Sequence, residues 1–340
     1  MRAGKLSQTV WRRAVDKQLN KEENRLTVPA PDENCMAVKV SEDMIELTTA
    51  ATAFGTTSEI GVYALAKALN DLSARGGDLQ GISVQICLTT EAEEKDVREI
   101  VQTIQKLCKG KKVQILGLQA EVNPAVSQNF VQVIALGNGK ETEMLSAKNI
   151  KPGEEIILCG TIGLEGILQI LDEKEEELGK RFVPTFIRQI KALKEQLFLD
   201  EAVRTAKEYT KEFGTLDTLA VHQIGSGGIF ASLWELAEAA GVGLEIDMNQ
   251  ISIRQETVEI CEYYQLNPYQ MISTGGMLMV TEDGAGLMKV LEKAGARAVR
   301  LGVTTAENAR VITSGEEKRY MDRPAPDEWM RWYMQEFRKG

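Results

Sequence analysis

The chain contains few of the residues on which common enzyme classes depend. Its 340 residues include one histidine, His222, and five cysteines that form no C-x-x-C pair. No zinc-ligand spacing and no paired Ser-His or Cys-His motif can be identified, so the sequence does not favour zinc binding or nucleophilic hydrolysis. Apolar neighbours around Cys87, Cys159 and Cys261 predict reduced thiols in the core.

Excess positive charge and long apolar runs are also lacking. The formal net charge is -10, which argues against a nucleic-acid or anionic-membrane partner, because such binding needs clustered lysine and arginine. No apolar run approaches the roughly 20 residues that a membrane span requires, and the first residues lead into a polar stretch rather than a signal core. The sequence therefore predicts a cytoplasmic protein.

The chain does show alternating strand and helix patterns in two halves. Gly160-Thr161-Ile162-Gly163 lacks the Gly-Lys-Ser/Thr of a phosphate-binding loop of the Walker type and is predicted to be a strand-to-helix turn. Predicted strands cover 36–40, 44–49, 82–88, 113–116, 130–136, 155–159, 243–247, 277–281, 298–303 and 310–314. Predicted helices cover 59–74, 91–108, most of a charged region ending near 213, 229–240, 254–264 and 285–294.

These patterns predict an α/β (α+β) protein of two domains. The turn signal at 151–154 places the boundary just ahead of it, between residues 148 and 149. The predicted organisation is an N-terminal segment (1–30), a first domain (31–148), a second domain (149–325) and a C-terminal helix (326–340).

A glycine-rich stretch, His222 to Gly228, precedes the predicted helix at 229–240. Gly227 and Gly228 would let backbone amides approach a ligand closely, and the helix would direct its positive end at the same place. His222 could act as a general base or phosphate contact, or it could be a structural hydrogen-bonding residue. Gln223 can form hydrogen bonds but cannot neutralise a cation.

The order of several motifs resembles a known family. The segments that carry the resemblance are Gly4-Lys5-Leu6, Gly55 to Ala64, Asn70-Asp71-Leu72, Lys151 to Leu158, Gly228 to Glu245, Ile253 to Thr257, Leu266-Asn267-Pro268 and Ser273 to Leu278. Together they resemble the AIR synthetase-like (PurM-like) superfamily, in its AIR synthase-related and hydrogenase maturation factor (HypE) branch. The resemblance extends from about residue 4 to residue 335.

The resemblance implies a fold, a cofactor and a partner. Family members have a first domain that completes a β-barrel with a second copy of the chain, and a second domain of helices packed on a mixed sheet. ATP is held with magnesium by several aspartates, and the chemistry is phosphoryl transfer, which depends on those acids. A homodimer that binds ATP and Mg²⁺ is therefore what the resemblance implies.

The acids that this chemistry needs are largely replaced. Cys35, Ala51, Leu118 and Gln223 stand where the family has acidic ligands. Asn70-Asp71 is retained, Gly117 precedes Leu118 after a predicted strand, and Glu121 resembles the end of the same motif. The resemblance makes His222 and Asp71 candidate catalytic residues and Asp71 and Glu121 candidate metal ligands. The candidate cofactor-binding residues are Asn70, Asp71, Gly117, Gln223, Gly227 and Gly228.

Three hypotheses remain open from the sequence. The first is a diverged, homodimeric scaffold that binds a ligand or protein partner without ordinary magnesium-ATP chemistry. The second is an active ATP-dependent enzyme with metal ligands relocated to Asp32, Glu33, Asp71 and Glu121. The third is a protein that binds another anion at Gly227-Gly228 without a metal. The maturation dehydratase of the HypE branch carries its substrate on a C-terminal cysteine, whereas this chain ends Lys339-Gly340, so that mechanism is not expected.

Overall fold

The structure, a computed structural model, describes residues 4–19, 26–30 and 33–337. The chain divides into two compact units. The five-stranded unit contains residues 34–144 and 169–187, and the seven-stranded unit contains the remaining described residues. None of the helices formed by the described residues combines the length and the apolar composition that a membrane crossing needs.

The described residues form ten α-helices and twelve strands. The helices are α1 (Gln8–Ala14), α2 (Ile60–Ala74), α3 (Glu94–Lys111), α4 (Leu164–Arg181), α5 (Pro184–Ala192), α6 (Asp200–Glu212), α7 (Gly228–Ala240), α8 (Gln255–Tyr264), α9 (Gly284–Lys293) and α10 (Glu328–Phe337). The strands are β1 (Cys35–Lys39), β2 (Met44–Gly55), β3 (Asp78–Leu88), β4 (Ile115–Val122), β5 (Asn129–Lys140), β6 (Glu155–Gly160), β7 (Ala220–Gln223), β8 (Gly243–Asp247), β9 (Gly276–Thr281), β10 (Ala298–Thr305), β11 (Arg310–Ser314) and β12 (Glu317–Tyr320).

The five-stranded unit is a sheet in the order β1-β2-β5-β3-β4. Neighbouring strands are antiparallel except for the parallel pair β3 and β4. Alternate residues of β2 are buried, which is the pattern of a strand with one covered face. The apolar helix α2 contacts β2 and β5, and α3 packs beside α2, burying Ile100 and Ile104. Tyr63 of α2 also donates a hydrogen bond to Asp172 of α4.

The seven-stranded unit is a mixed sheet in the order β12-β11-β8-β10-β6-β9-β7. Only β8 and β11 pair in parallel among these neighbours. The central strands β6 and β9 are buried over most of their length, and α7 packs its apolar residues into the same core. Leu158, Leu233 and Leu278 are among the fully buried members of this core. Strand β7 leads directly into the glycine-rich stretch, so the sheet positions the start of α7.

The mixed α/β class and most of the predicted elements are confirmed, with corrections. Helix α1 and strand β12 were not predicted. Strand β7 was not predicted, because four residues are too few to show a periodic pattern. Strand β4 was predicted at 113–116 but extends from Ile115 to Val122. Its parallel pairing with β3, in which Leu118 lies opposite Val84 and Glu121 opposite Cys87, continues the strand. Gly117, Leu118 and Glu121 therefore lie within a strand and not in a loop after it.

The turn before α7 requires glycine for packing as well as for backbone conformation. Gly227 and Gly228 have φ angles of +88° and +68°, a region that residues with a side chain rarely adopt. A Cβ atom at Gly228 would lie 2.4 Å from the carbonyl oxygen of Tyr269 and 2.8 Å from the nitrogen of Met271. The absence of a side chain at Gly228 therefore lets the turn pack against residues 269–271.

Replacing Gly228 with alanine should destabilise the protein strongly. The left-handed backbone and the contact with Tyr269 together predict a loss of about 2–5 kcal/mol in the free energy of unfolding. Gly225→Ala is the matched control, because a Cβ there meets no atom within 4 Å. Denaturant unfolding of both variants measures the difference, and equal stabilities would contradict the packing role of Gly228.

Candidate functional site

In the five-stranded unit, two positions of the predicted metal and cofactor site, Cys35 and Asp71, lie near the start of β1. The side-chain amide of Asn34 donates a hydrogen bond to Asp71 over 3.2 Å, and the Thr49 hydroxyl donates to the Asn34 carbonyl over 2.8 Å. Cys35 pairs with Thr49 in the sheet. The structure thus places Asp71 beside Asn34, the residue that precedes Cys35 in the chain.

The remaining predicted residues of this unit lie elsewhere. Ala51 is buried two residues further along β2, and Asn70 is fully buried in α2. Gly117, Leu118 and Glu121 lie on β4, at the edge of the sheet opposite β1. Glu121 accepts a hydrogen bond from the Asn123 amide at 3.0 Å and lies 3.8 Å from the Cys87 thiol. Burial, with a smaller contribution from Glu121, raises the pKa of Cys87.

The described residues do not bring together the relocated metal ligands of the second hypothesis. Glu33 lies ahead of β1, and Asp32 lies outside the described residues. Within 4–19, 26–30 and 33–337, no group of three or more histidine, cysteine, aspartate or glutamate side chains has the geometry to hold a metal ion.

The seven-stranded unit contains a cavity of about 1040 Å³ beside the glycine-rich turn. Three pieces of chain form most of its wall, namely the N-terminal segment (residues 4–17), the turn and one face of α7, and the C-terminal segment (residues 323–327), and Arg310 of β11 completes it. Of the residues predicted for cofactor binding or catalysis, Gly227 lines this cavity. Gly228, His222 and Gln223 do not line it; Gly228 packs against 269–271, and Gln223 is buried on β7.

A buried carboxylate on α7 connects His222 with the N-terminal segment. Both oxygens of Glu235 lie 3.2 Å from the Lys5 ammonium, and Nε2 of His222 lies 3.3 Å from Glu235 Oε2. Burial acts to raise the pKa of Glu235, but Lys5 and His222 outweigh it and hold the pKa below its usual range. His222 therefore borders the cavity indirectly, through Glu235.

A second carboxylate, one turn further along α7, is held between two arginines. Glu238 forms ion pairs with Arg12 of the N-terminal segment and, at 2.8 Å, with Arg310 of β11. The guanidinium of Arg310 also lies over the ring of Trp234, 4.1 Å from its centroid. Because Glu235 and Glu238 are three residues apart, they project from the same face of the helix.

The third carboxylate at the cavity, Asp327, was not predicted from the sequence. Its Oδ2 accepts a hydrogen bond from the Gly227 amide at 2.6 Å, and its Oδ1 accepts from the amides of Trp329 and Met330 at 2.9 and 3.2 Å. Burial raises the pKa of Asp327 to about 6. An aspartate ahead of a helix is a recognisable cap signal, but the contact with Gly227 has no local signal. The amide predicted to approach a ligand is thus bonded to the protein itself.

The cavity is electropositive in a chain that is acidic overall. Three carboxylates line it, against six cationic side chains. The cationic residues are Lys5, Arg12, Arg13, Lys17, Arg310 and Arg323. Arg13, Lys17 and Arg323 form no ion pair with any described residue. Such an excess of lysine and arginine around a concave surface attracts anions and disfavours cations.

The raised pKa of Asp327 predicts an unusual pH dependence of stability. Between its ordinary pKa of 3.8 and the folded value of about 6, the folded protein keeps a proton that the unfolded chain releases. The free energy of unfolding should therefore fall as the pH rises through this window, by up to about 3 kcal/mol. In Asp327→Asn this decline should disappear, whatever the variant's overall stability.

Urea unfolding at pH 4, 5, 6 and 7 measures the effect as the difference between wild type and variant. Asp322→Asn, at an exposed position in the same segment, is the control and should follow wild type. A constant difference between wild type and Asp327→Asn across the series would show that Asp327 does not titrate in this way.

Comparison with known proteins relates both units to one family. Residues 30–138 match the AIR synthase related protein N-terminal domain, and residues 151–314 match the corresponding C-terminal domain. Carbamoyl dehydratase HypE of Rhodobacter capsulatus is 23% identical over 257 residues, which are 74% of this chain and 71% of the relative.

Solved structures show the same fold at lower identity. The AaThiL structure complexed with AMPPCP and TMP has a TM-score of 0.71 and 15% identity, covering 97% of this chain and 98% of that one. HypE in a HypE-HypF complex has a TM-score of 0.67 and 19% identity, covering 85% and 93%. Because the two domain matches extend from ahead of β1 to the end of β11, the protein belongs to the AIR synthase related family.

Proposed function

We propose that the protein is a diverged, non-catalytic member of the AIR synthase related family that binds a phosphorylated ligand in the cavity of its seven-stranded unit. The observation that carries the proposal is the charge of this cavity, where six cationic side chains face three carboxylates. Guanidinium groups are well suited to phosphate because their planar donors can bind two of its oxygens at once. The similarity to a structure that contains AMPPCP adds support for a phosphorylated ligand.

The proposed loss of catalysis is supported by the side chains at the family's acidic positions. Cys35, Ala51 and Gln223 are buried, and Leu118 is aliphatic. None of them can supply a carboxylate oxygen. Phosphoryl transfer needs metal ions and positioned charges around the transferred group, because the protein contributes little covalent chemistry of its own. A scaffold that keeps the fold without these acids is better suited to binding than to turnover.

Ligand binding should raise the melting temperature, because a ligand that binds only the folded state stabilises it by mass action. At a concentration of about 100 times Kd the gain is roughly 2.7 kcal/mol, or about 4 °C for a chain of this size. The panel consists of inorganic phosphate, AMP, ADP and ATP, and the assay is a thermal shift. The double variant Arg13→Ala/Arg323→Ala should lose most of the shift, because it removes two cations that have no ion-pair partner among the described residues.

The control variant is Arg297→Ala, which removes an exposed arginine away from the cavity and should keep the full shift. Absence of any shift with all four compounds would remove the binding proposal. Hydrolysis of ATP that is abolished in Asp71→Asn would instead support the alternative of an active ATP-dependent enzyme, for which the hydrogen bond between Asp71 and Asn34, just ahead of β1, is the supporting observation.

We also propose that the protein forms a homodimer through its five-stranded unit. Large apolar side chains are exposed on both edge strands: Met36 and Val38 on β1, and Leu116, Leu118 and Val122 on β4. Exposed apolar edge strands pair readily with other chains, and native proteins usually cover them. A second copy of this chain would cover both edges in one symmetric contact.

Charges at these edges should separate the proposed dimer. Val38 is 60% exposed and Leu118 is 39% exposed, so Val38→Glu/Leu118→Glu should leave the fold intact while burying two carboxylates at the contact. Light scattering after gel filtration should then give the mass of one chain, against two for wild type. Val183→Glu, at a position 67% exposed in the same unit but outside the sheet, should remain dimeric. A wild-type protein that is monomeric at micromolar concentration would contradict the proposal.

A further inference from the structure

Every carboxylate oxygen in the cavity already has a donor from the protein. Both oxygens of Glu235 contact Lys5, and Glu238 uses one oxygen for Arg12 and the other for Arg310. Asp327 is bonded through both oxygens to backbone amides. The three acids that could attract a cation are therefore satisfied by lysine, arginine and N–H groups.

The magnesium ion that the family implies does not fit this set of residues. Mg²⁺ requires oxygen ligands in near-octahedral geometry, and proteins usually supply one or two carboxylates. To gain a carboxylate here, the ion would have to displace Lys5, an arginine or a backbone amide. Arg13, Lys17 and Arg323 would also repel it. The cavity therefore supplies, from its own side chains, the positive charge that a metal would otherwise bring.

One cationic side chain at the cavity, Arg310, is fixed in place by its neighbours. Arg310 is fixed by its ion pair with Glu238 and by its position over Trp234. Its Nε atom is buried and has no hydrogen-bond partner among the described residues. Arg310 lines the cavity, so its fixed guanidinium group adds positive charge there.

The cations also come from separate pieces of chain. Lys5, Arg12, Arg13 and Lys17 belong to the N-terminal segment, Arg310 to β11 and Arg323 to the C-terminal segment. A cavity of about 1040 Å³ is at the upper end of the range for small-molecule sites. Positive charge spread over several walls of such a space suits an extended anion better than a single phosphate.

We infer that the cavity binds a polyphosphate group, with at least two linked phosphates, in its metal-free form, and that Mg²⁺ opposes this binding. The inference rests on the proposed function and adds to it the class of ligand and the sign of the metal effect. Mg²⁺ occupies phosphate oxygens and cancels part of their charge. The arginines and lysines then lose both hydrogen-bond acceptors and electrostatic attraction.

The test is isothermal titration of the full chain with inorganic tripolyphosphate, with ATP and with orthophosphate. Each titration is done once with EDTA and once with excess MgCl2, and NaCl keeps the ionic strength equal so that screening alone does not differ. With EDTA, tripolyphosphate and ATP should bind more tightly than orthophosphate. Excess Mg²⁺ should weaken both by about tenfold or more.

Two variants test whether the anions bind in the cavity and whether Mg²⁺ weakens binding there. Arg13→Ala/Arg323→Ala should weaken binding of tripolyphosphate in EDTA and reduce the difference that Mg²⁺ makes, whereas Arg297→Ala should behave like wild type. Binding that requires or is strengthened by Mg²⁺ would overturn the inference and leave the proposed function standing. Equal affinity for orthophosphate and tripolyphosphate would overturn the polyphosphate assignment. No binding of any of the three anions, with or without the metal, would remove the proposed function itself.

Discussion

The hydrogen bond between the Gly227 amide and the buried carboxylate of Asp327 is the contact on which the cavity depends. It joins the turn ahead of α7 to the start of α10, and these two places form two of the three walls. Burying a carboxylate is costly, as the raised pKa of Asp327 shows. Three backbone amides offset that cost, because hydrogen bonds to an ionised acceptor are stronger than those between neutral groups.

The third wall is held by charge instead of by apolar packing. Helix α1 buries none of its residues, so the hydrophobic effect contributes little to its position. Lys5 and Arg12 pair instead with Glu235 and Glu238, two acids on one face of α7. Exposed ion pairs contribute little to stability, but Glu235 is buried, where water screens the interaction less. These pairs neutralise Glu235 and Glu238, and the net positive charge of the cavity comes from the cations in excess, which include Arg13, Lys17 and Arg323.

The cavity of the seven-stranded unit is lined by none of the positions at which the resemblance implies acidic metal ligands. In the site that the resemblance implies, acids hold metal ions and the metal ions hold phosphate. In the cavity, the acids instead pair with arginine, lysine and backbone amides. Under the proposed function, the excess cations would attract phosphate without a metal ion, and the metal-dependent activation that phosphoryl transfer requires would be absent. A shared fold is compatible with such a difference in chemistry.

Much of the fold follows from local pattern. The alternation of β2 and the apolar spacing of α2 and α7 predict their type and approximate position, because burial of one face imposes a period of two or 3.6 residues. Strand β7 and the extension of β4 could not be predicted in this way, since one is too short for a period and the other depends on pairing with β3. The resemblance of ordered motifs predicted the family, which the domain matches confirm.

The sequence by itself determined the α/β class and the glycine-rich turn before α7, and its resemblance to the family predicted the replacement of acids at Cys35, Ala51, Leu118 and Gln223. Only the tertiary structure decided what surrounds the turn. Gly227 and Asp327 are 100 residues apart in the chain, and Lys5 and Glu235 are 230 apart. Periodicity reports which side of an element is buried, but it carries no information about which distant charge will lie beside another. The packing of the elements decides which charged residues meet, and it brings more cations than carboxylates to the cavity.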